Sequence, residues 1–199
     1  MRISCLAFAR IVDVDRRYAV LLNKGRLEHG ERLLSPVGGG LVCEPETQLM
    51  LKRLGARNFE GKPEHYELRF SVPDHAIPKI TSWFDSREGR ELSSLRELDE
   101  ELRIETGVLS REHVAGAREK YRCAVQFIDD TRRDVPEKKT LYLIEVYDVR
   151  LPAAAMKKMR KAAAFPEEER QVHFLSAFNI TAGRAPDGTP VGDITSAIL

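Results

Sequence analysis

Between Arg90 and Glu105, Leu92, Leu95, Leu98 and Leu102 fall near one stripe, while Arg96, Glu97, Glu100 and Glu101 lie off it. Apolar residues at this spacing line one face of an α-helix, so the segment predicts a helix over Arg90–Glu105 with a core side and a charged side. Thr106 and Gly107 supply its stop. On such a helix Glu97 projects beside Glu100 or Glu101 at i,i+3 or i,i+4. Like charges so placed repel by a few tenths of a kcal/mol (~0.2–0.5) per pair on a bare surface.

The rest of the chain alternates strand and helix signals. Ile3–Val12 and Arg17–Leu22 are rich in strand formers, and the polar Asp13–Arg16 between them reads as a hairpin connection. Asn23–Glu31 is expected to be a polar loop. Leu33–Leu41 carries Gly38, Gly39 and Gly40, which permit close backbone approaches, and is expected to be a site loop. His65–Val72 predicts a strand, and Ile77, Ile80 and Phe84 predict a helix over Ala76–Phe84. Tyr121–Ile128 and Thr140–Val149 predict two strands joined by the polar Asp129–Lys139. Ala153–Ala164 predicts a helix, Val172–Leu175 a short strand, Ala185–Gly188 a turn, and the segment toward Leu199 a closing helix.

With 199 residues, 42% hydrophobic and 32% charged, the composition is that of an ordinary globular α/β protein, expected as a single domain over 1–199. A net charge of +1 gives no polycationic surface, so bulk nucleic acid is not an expected partner. Cys5, Cys43 and Cys123 form no CxxC pair, which points away from a disulfide framework or zinc site and toward a reducing, cytoplasmic setting. No apolar run approaches the ~20 residues of a membrane span.

No Ser, Cys or His nucleophile motif is present, and His29, His65, His75, His113 and His173 show no ligand spacing. Trp83, Phe84, Phe174 and Phe178 read as core aromatics, and Lys24, Arg26, Arg53, Arg132, Arg133, Lys138 and Lys139 as solubilising charge. The carboxylates are different. Magnesium prefers oxygen ligands and keeps waters, so it can bridge carboxylates and phosphates while activating a water. A charged solvated helix face is the plainer reading of the same residues.

Glu88, seven residues, then Arg96-Glu97-Leu98-x-Glu100-Glu101 resembles the second half of the Nudix signature, and a glycine segment lies upstream as in that family. The box is split, because Gly39 stands 49 positions before Glu88, which defines an insertion at approximately 46–87. Leu102–Thr106 separate Glu101 from Gly107 where the family has a single residue, which an extra helical turn would explain. Ser35-Pro36-Val37-Gly38-Gly39-Gly40, with Arg69-Phe70, Trp83-Phe84 and Arg90-Glu91, is similar to the divergent branch associated with bacterial nucleotide second-messenger (SMODS) systems.

The resemblance implies a Nudix-like α/β/α sandwich with a mixed sheet and the insertion between the glycine loop and the acidic helix. It implies Mg2+ or Mn2+ held by Glu97, Glu100, Glu101 and the Gly38 carbonyl, with Arg96 and Glu88 paired as orienters and Gly38, Gly39 and Gly40 against the substrate. The implied activity is hydrolysis of a nucleoside diphosphate linked to another moiety by a metal-activated water, a pyrophosphatase reaction. Glu97, Glu100 or Glu101 could be the general base, as could Glu145, Glu168 or Glu169. The alternative is a non-catalytic nucleotide-binding or regulatory module on the same fold, in a bacterial nucleotide-signalling defence system. The residues leave monomer and homodimer equally open.

Overall fold

The apolar opening run folds as strand β1 (Arg2–Arg10), buried along nearly its whole length. A strand covered on both faces carries a continuous apolar run instead of an alternating one. In the computed structural model, which describes residues 1–62, 65–130, 139–167 and 169–199, there follow β2 (Tyr18–Leu22), α1 (Lys24–Glu28), β3 (Leu34–Gly40) and α2 (Pro45–Arg53). Next come the short strands β4 (Gly61–Lys62), β5 (His65–Tyr66) and β6 (Arg69–Ser71), then α3 (Ile77–Ser86) and α4 (Leu95–Asp99). A π-helical segment, Glu100–Glu105, continues directly from α4. The remainder is α5 (Arg111–Ala115), β7 (Arg118–Asp129), β8 (Thr140–Arg150), α6 (Ala153–Ala163), β9 (Val172–Leu175), α7 (Ala177–Thr181) and a 3-10 turn over Asp193–Ile198.

The α/β class is as expected: a mixed seven-stranded sheet runs in the order β7, β8, β1, β3, β2, β9, with β6 paired to β1. Three local expectations change. The segment Asp13–Arg16 does turn the chain, with Asp13 Oδ1 accepting the amides of Asp15 and Arg17 at 2.9 Å each and Arg16 at φ 58°. Yet β3 lies between β1 and β2 in the sheet, so their backbones pair beyond the end of β1, at the Val12–Tyr18 bridge. The polar Asn23–Glu31 is not a loop, because the Asn23 side chain accepts the Arg26 amide and caps α1. The glycine segment is strand β3 and not a loop.

The chain forms two compact units. One comprises Met1–Ala7, Gly39–Ser93 and Cys123–Glu145. In it β6 pairs antiparallel with β1, Ile3 opposite Phe70, and Phe59 stacks on Phe70 at 5.0 Å. Residues 46–87 contribute most of α2, all of β4 to β6, and α3, whose Ile80 and Phe84 are buried. The other unit comprises Phe8–Gly38, Ser94–Arg122 and Val146–Leu199. There β2 pairs antiparallel with β3 and with β9, and α6 turns Ala155, Met159 and Ala162, at i, i+4 and i+7, to the interior.

Among the described residues no helix is long and apolar enough to cross a membrane. The cysteines are free, and burial pushes the Cys5 thiol far above its ordinary range. Arg132, Arg133 and Lys138 in the β7–β8 connection, and Glu168, lie outside the described residues.

Candidate functional site

The acidic helix starts five residues later than its leucine spacing predicts. Arg90 is bridged to Cys43 and Glu91 donates its amide to the Val42 carbonyl, which holds this stretch extended. Leu92 is therefore exposed, while Leu98 and Leu102 are fully buried and anchor the helix. Ser94 fixes the first turn, its amide and hydroxyl both donating to Glu119 Oε2 at 2.9 Å. Beyond Asp99 the spacing widens: the Thr106 amide donates to the Glu101 carbonyl, five residues back, at 3.0 Å. The residues before Gly107 thus form a π-helical segment where an ordinary extra turn was expected. Such insertions re-aim side chains and are frequent at functional sites.

Glu101 occupies the centre of the cluster. Its Oε2 accepts the Gly38 amide at 2.7 Å, and Gly38 stands at φ 138°, a conformation that side chains disfavour. The observed contact of Gly38 is made by its N–H. Burial raises the Glu101 carboxyl well above the ordinary value, the Gly38 hydrogen bond opposes this, and the negative charges of Glu97, Glu105 and Glu100 raise it further. Glu97 is buried, with Arg96 Nη1 on its Oε1 at 2.6 Å, and the same Arg96 nitrogen stands 3.5 Å from Glu100 Oε2. Sequence reasoning missed Glu105, although its position four residues after Glu101 was the signal.

The other expected residues are placed differently. Glu88 was expected to grip Arg96, but Arg96 takes carboxylates from its own helix while Glu88 is exposed and uses its carbonyl to accept the Trp83 indole N–H at 3.1 Å. Gly39 and Gly40 belong to the unit that does not contain the acidic helix. A Cβ on Gly40 would stand 2.5 Å from Glu67 Oε2 and 2.8 Å from its Cδ, so glycine there accommodates a carboxylate of its own unit. Glu145, one of the acids open as a general base, is 1% exposed and ion-paired to Arg87 and Arg90, each at 2.8 Å. Glu169 is exposed. Asp99 is held by Arg103 in a bidentate pair that lowers its carboxyl below the usual range.

Among the described residues no group of three or more His, Cys, Asp or Glu is gathered as a ready metal cage. Magnesium does not need one, since it is commonly held by one or two carboxylates with waters and substrate phosphates completing the shell. The all-oxygen donors of Glu97 and Glu101, mutually repelling and partly desolvated, suit such a hard cation.

The state of Glu101 has a measurable consequence in metal-free buffer. A carboxyl whose folded value lies above its unfolded value of 4.5 stabilises the fold fully at lower pH, and that stability is lost as pH rises toward the folded value. Glutamine accepts the same Gly38 hydrogen bond and carries no charge. The melting temperature of Glu101→Gln should therefore gain on wild type as pH rises above 4.5, until the wild-type carboxyl is fully ionised. A pH-independent difference between the two melting curves would refute the raised carboxyl.

A search of curated proteins and a search of solved structures each gave no match. The family model of the SMODS-associated NUDIX domain matches residues 1–199. With a mixed α/β sheet and the Arg96–Glu101 helix it carries, the chain belongs to the SMODS-associated NUDIX domain family and has a Nudix-like α/β/α fold.

Proposed function

We propose that the chain is a Mg2+- or Mn2+-dependent pyrophosphohydrolase of a nucleoside diphosphate linked to another moiety. The observation that carries this reading is Glu101, a carboxyl seated on the Gly38 amide and surrounded by Glu97, Glu105 and Glu100. A pure binding surface gains nothing from this repulsion, whereas a cation would offset it. Glu101 and Glu97 would hold the metal, with Glu100 at its exposed edge. When bound, such a metal polarises phosphoryl oxygens and lowers the pKa of a water.

The chain's own residues do the positioning. Gly38 fixes Glu101 through Oε2, so Oε1 would be the oxygen left for a metal. Arg96 holds Glu97 Oε1 and keeps that carboxylate oriented. On metal binding Glu101 must lose its proton, so affinity should rise with pH over the range in which Glu101 ionises.

The test is release of nucleoside monophosphate from a panel of nucleoside diphosphate derivatives, with and without magnesium. Magnesium-dependent release supports the enzyme, while saturable nucleotide binding without release would favour a non-catalytic module. Magnesium or manganese should also raise the melting temperature, because a ligand that binds only the folded state stabilises it. The double variant Glu100→Gln with Glu101→Gln should fold and lose that response. A retained response would place the metal elsewhere.

A further inference from the structure

Four elements of one unit meet around His173. The residue sits on β9 opposite Val20 of β2, with its side chain 4% exposed. Its Nδ1 lies 3.7 Å from Asp187 Oδ2, the same oxygen that accepts Arg170 Nη1 at 3.0 Å. Arg32 reaches the same neighbourhood from the start of β3: two residues on, Leu34 donates its amide to the Pro190 carbonyl, next to the Asp187 turn. Arg32 Nη2 binds the Glu167 carbonyl at 3.0 Å, and Arg170 Nε binds the Phe165 carbonyl at 3.1 Å, so both guanidinium groups are tied to one turn.

This arrangement leaves ring and guanidinium nitrogens unused. Arg32 Nε and His173 Nε2 are buried without a hydrogen-bond partner among the described residues. Asp187 is already engaged by the Thr189 amide at 3.0 Å as well as by Arg170. Glu31 is taken up by Arg26, and Glu167 and Glu169 are exposed. Buried polar nitrogens normally find partners, and orphaned ones on basic side chains mark the place of a missing acceptor.

We propose that Arg32, Arg170 and His173 form a phosphate-binding site, taking a phosphomonoester dianion as orthophosphate or as the terminal phosphate of a nucleotide. The anion would accept from Arg32 Nε and His173 Nε2, the second donor appearing when the imidazole is doubly protonated between Asp187 on Nδ1 and phosphate on Nε2. Neutral His173 is favoured without the anion, because burial lowers its affinity for a proton and Arg170 and Arg32 add to this, which together outweigh Asp187 and a hydrogen bond to the Arg170 backbone. Binding and protonation are therefore linked. The site uses none of the glutamates of the acidic helix and stands independently of the hydrolase reading.

The experiment titrates the full chain with orthophosphate, and separately with adenosine monophosphate, in chelator-containing buffer at ionic strength matched with chloride. The readouts are the ring nitrogen shifts of His173 and the melting temperature. Saturable movement of the His173 signals toward the imidazolium is expected, with affinity weakened about tenfold or more in Arg32→Gln, the loss of one charge-assisted hydrogen bond. Arg32→Lys, which keeps the charge but lacks Nε, should be weakened too, and serves if the first variant folds poorly. Equal affinity for both ligands identifies the inorganic ion as sufficient, and tighter adenosine monophosphate identifies a nucleotide phosphate. The proposal is overturned if phosphate acts no differently from chloride, if both Arg32 variants bind as wild type does, or if the response disappears in Glu101→Gln.

Discussion

On the proposed hydrolase reading, Glu97→Gln should lower kcat on a diphosphate substrate by about two orders of magnitude or more at saturating magnesium, a loss of ~2.7 kcal/mol of transition-state stabilisation. Glu97 lies one helical turn before Glu100 and Glu101, is 8% exposed, and is the carboxylate that Arg96 grips most closely. Glutamine preserves its volume but removes the charge that would face the cation and the 2.6 Å carboxylate contact of Arg96, whose Nη1 also stands 3.5 Å from the more exposed Glu100. Glu88→Gln is the comparison. Its carboxylate is exposed and Arg96 pairs along its own helix, so activity should be near wild type and stability within about 0.5 kcal/mol. Undiminished turnover in Glu97→Gln, on a substrate that the wild type cleaves, would remove the catalytic assignment. Loss of activity in Glu88→Gln equal to that in Glu97→Gln would show that the helix-internal pairing of Arg96 does not describe the working enzyme.

The difference between these two glutamates shows how far the sequence reaches. Leu98 and Leu102 announce a buried face, and Glu97, Glu100 and Glu101 follow on the same helix because spacing within a helix is a local property. The pairing of Arg96 was not legible in the same way. It depends on side-chain placement, and carboxylates stood beside Arg96 at the next residue and one turn on. The π-helical segment was hidden as well, since one widened hydrogen-bond ring leaves no compositional trace beyond an inexplicable number of residues before Gly107. The glycine run was read as a loop because glycine is a loop signal, but here it serves a strand: one amide reaches Glu101, and the missing Cβ of Gly40 admits Glu67. Strand β9 and helix α6 were legible almost to the residue, each being a short pattern bounded by prolines or polar turns. The cluster at His173 had no local signal, because its members are separated by as many as 155 positions from Arg32 to Asp187 and come together only through strand pairing.

Glu145→Gln lowers the melting temperature by roughly 6–20 °C, the second large effect expected of a single substitution. Glu145 is open to proton transfer from its residue type alone, and the fold gives it a buried ion pair. Its side chain is 1% exposed and that of Arg90 is 0% exposed, with Arg90 Nη2 donating to Glu145 Oε1 at 2.8 Å and to the Phe84 carbonyl at 2.7 Å. Arg90 also donates from Nη1 to the Glu91 carbonyl at 3.1 Å and lies 4.1 Å over the Phe84 ring. This anchorage holds α3 and the extended Arg90–Ser93 stretch to β8 within one unit. Removing the carboxylate charge leaves a guanidinium buried without its counter-ion, and breaking one side of such a pair costs about 3–5 kcal/mol. For a chain of this length each kcal/mol corresponds to about 2–4 °C. Arg87, also 2.8 Å from Glu145 but 31% exposed, can turn to water, so Arg87→Ala should cost about 1 kcal/mol or less. The double replacement Arg90→Met with Glu145→Leu separates desolvation from packing, because it removes both charges while filling the space, and should recover most of the stability lost in the single variant. Urea unfolding of the three variants beside wild type measures this. A Glu145→Gln protein as stable as wild type would mean that the buried guanidinium obtains enough from its carbonyl acceptors and the Phe84 ring, and that the ion pair contributes little to holding β8 against this segment.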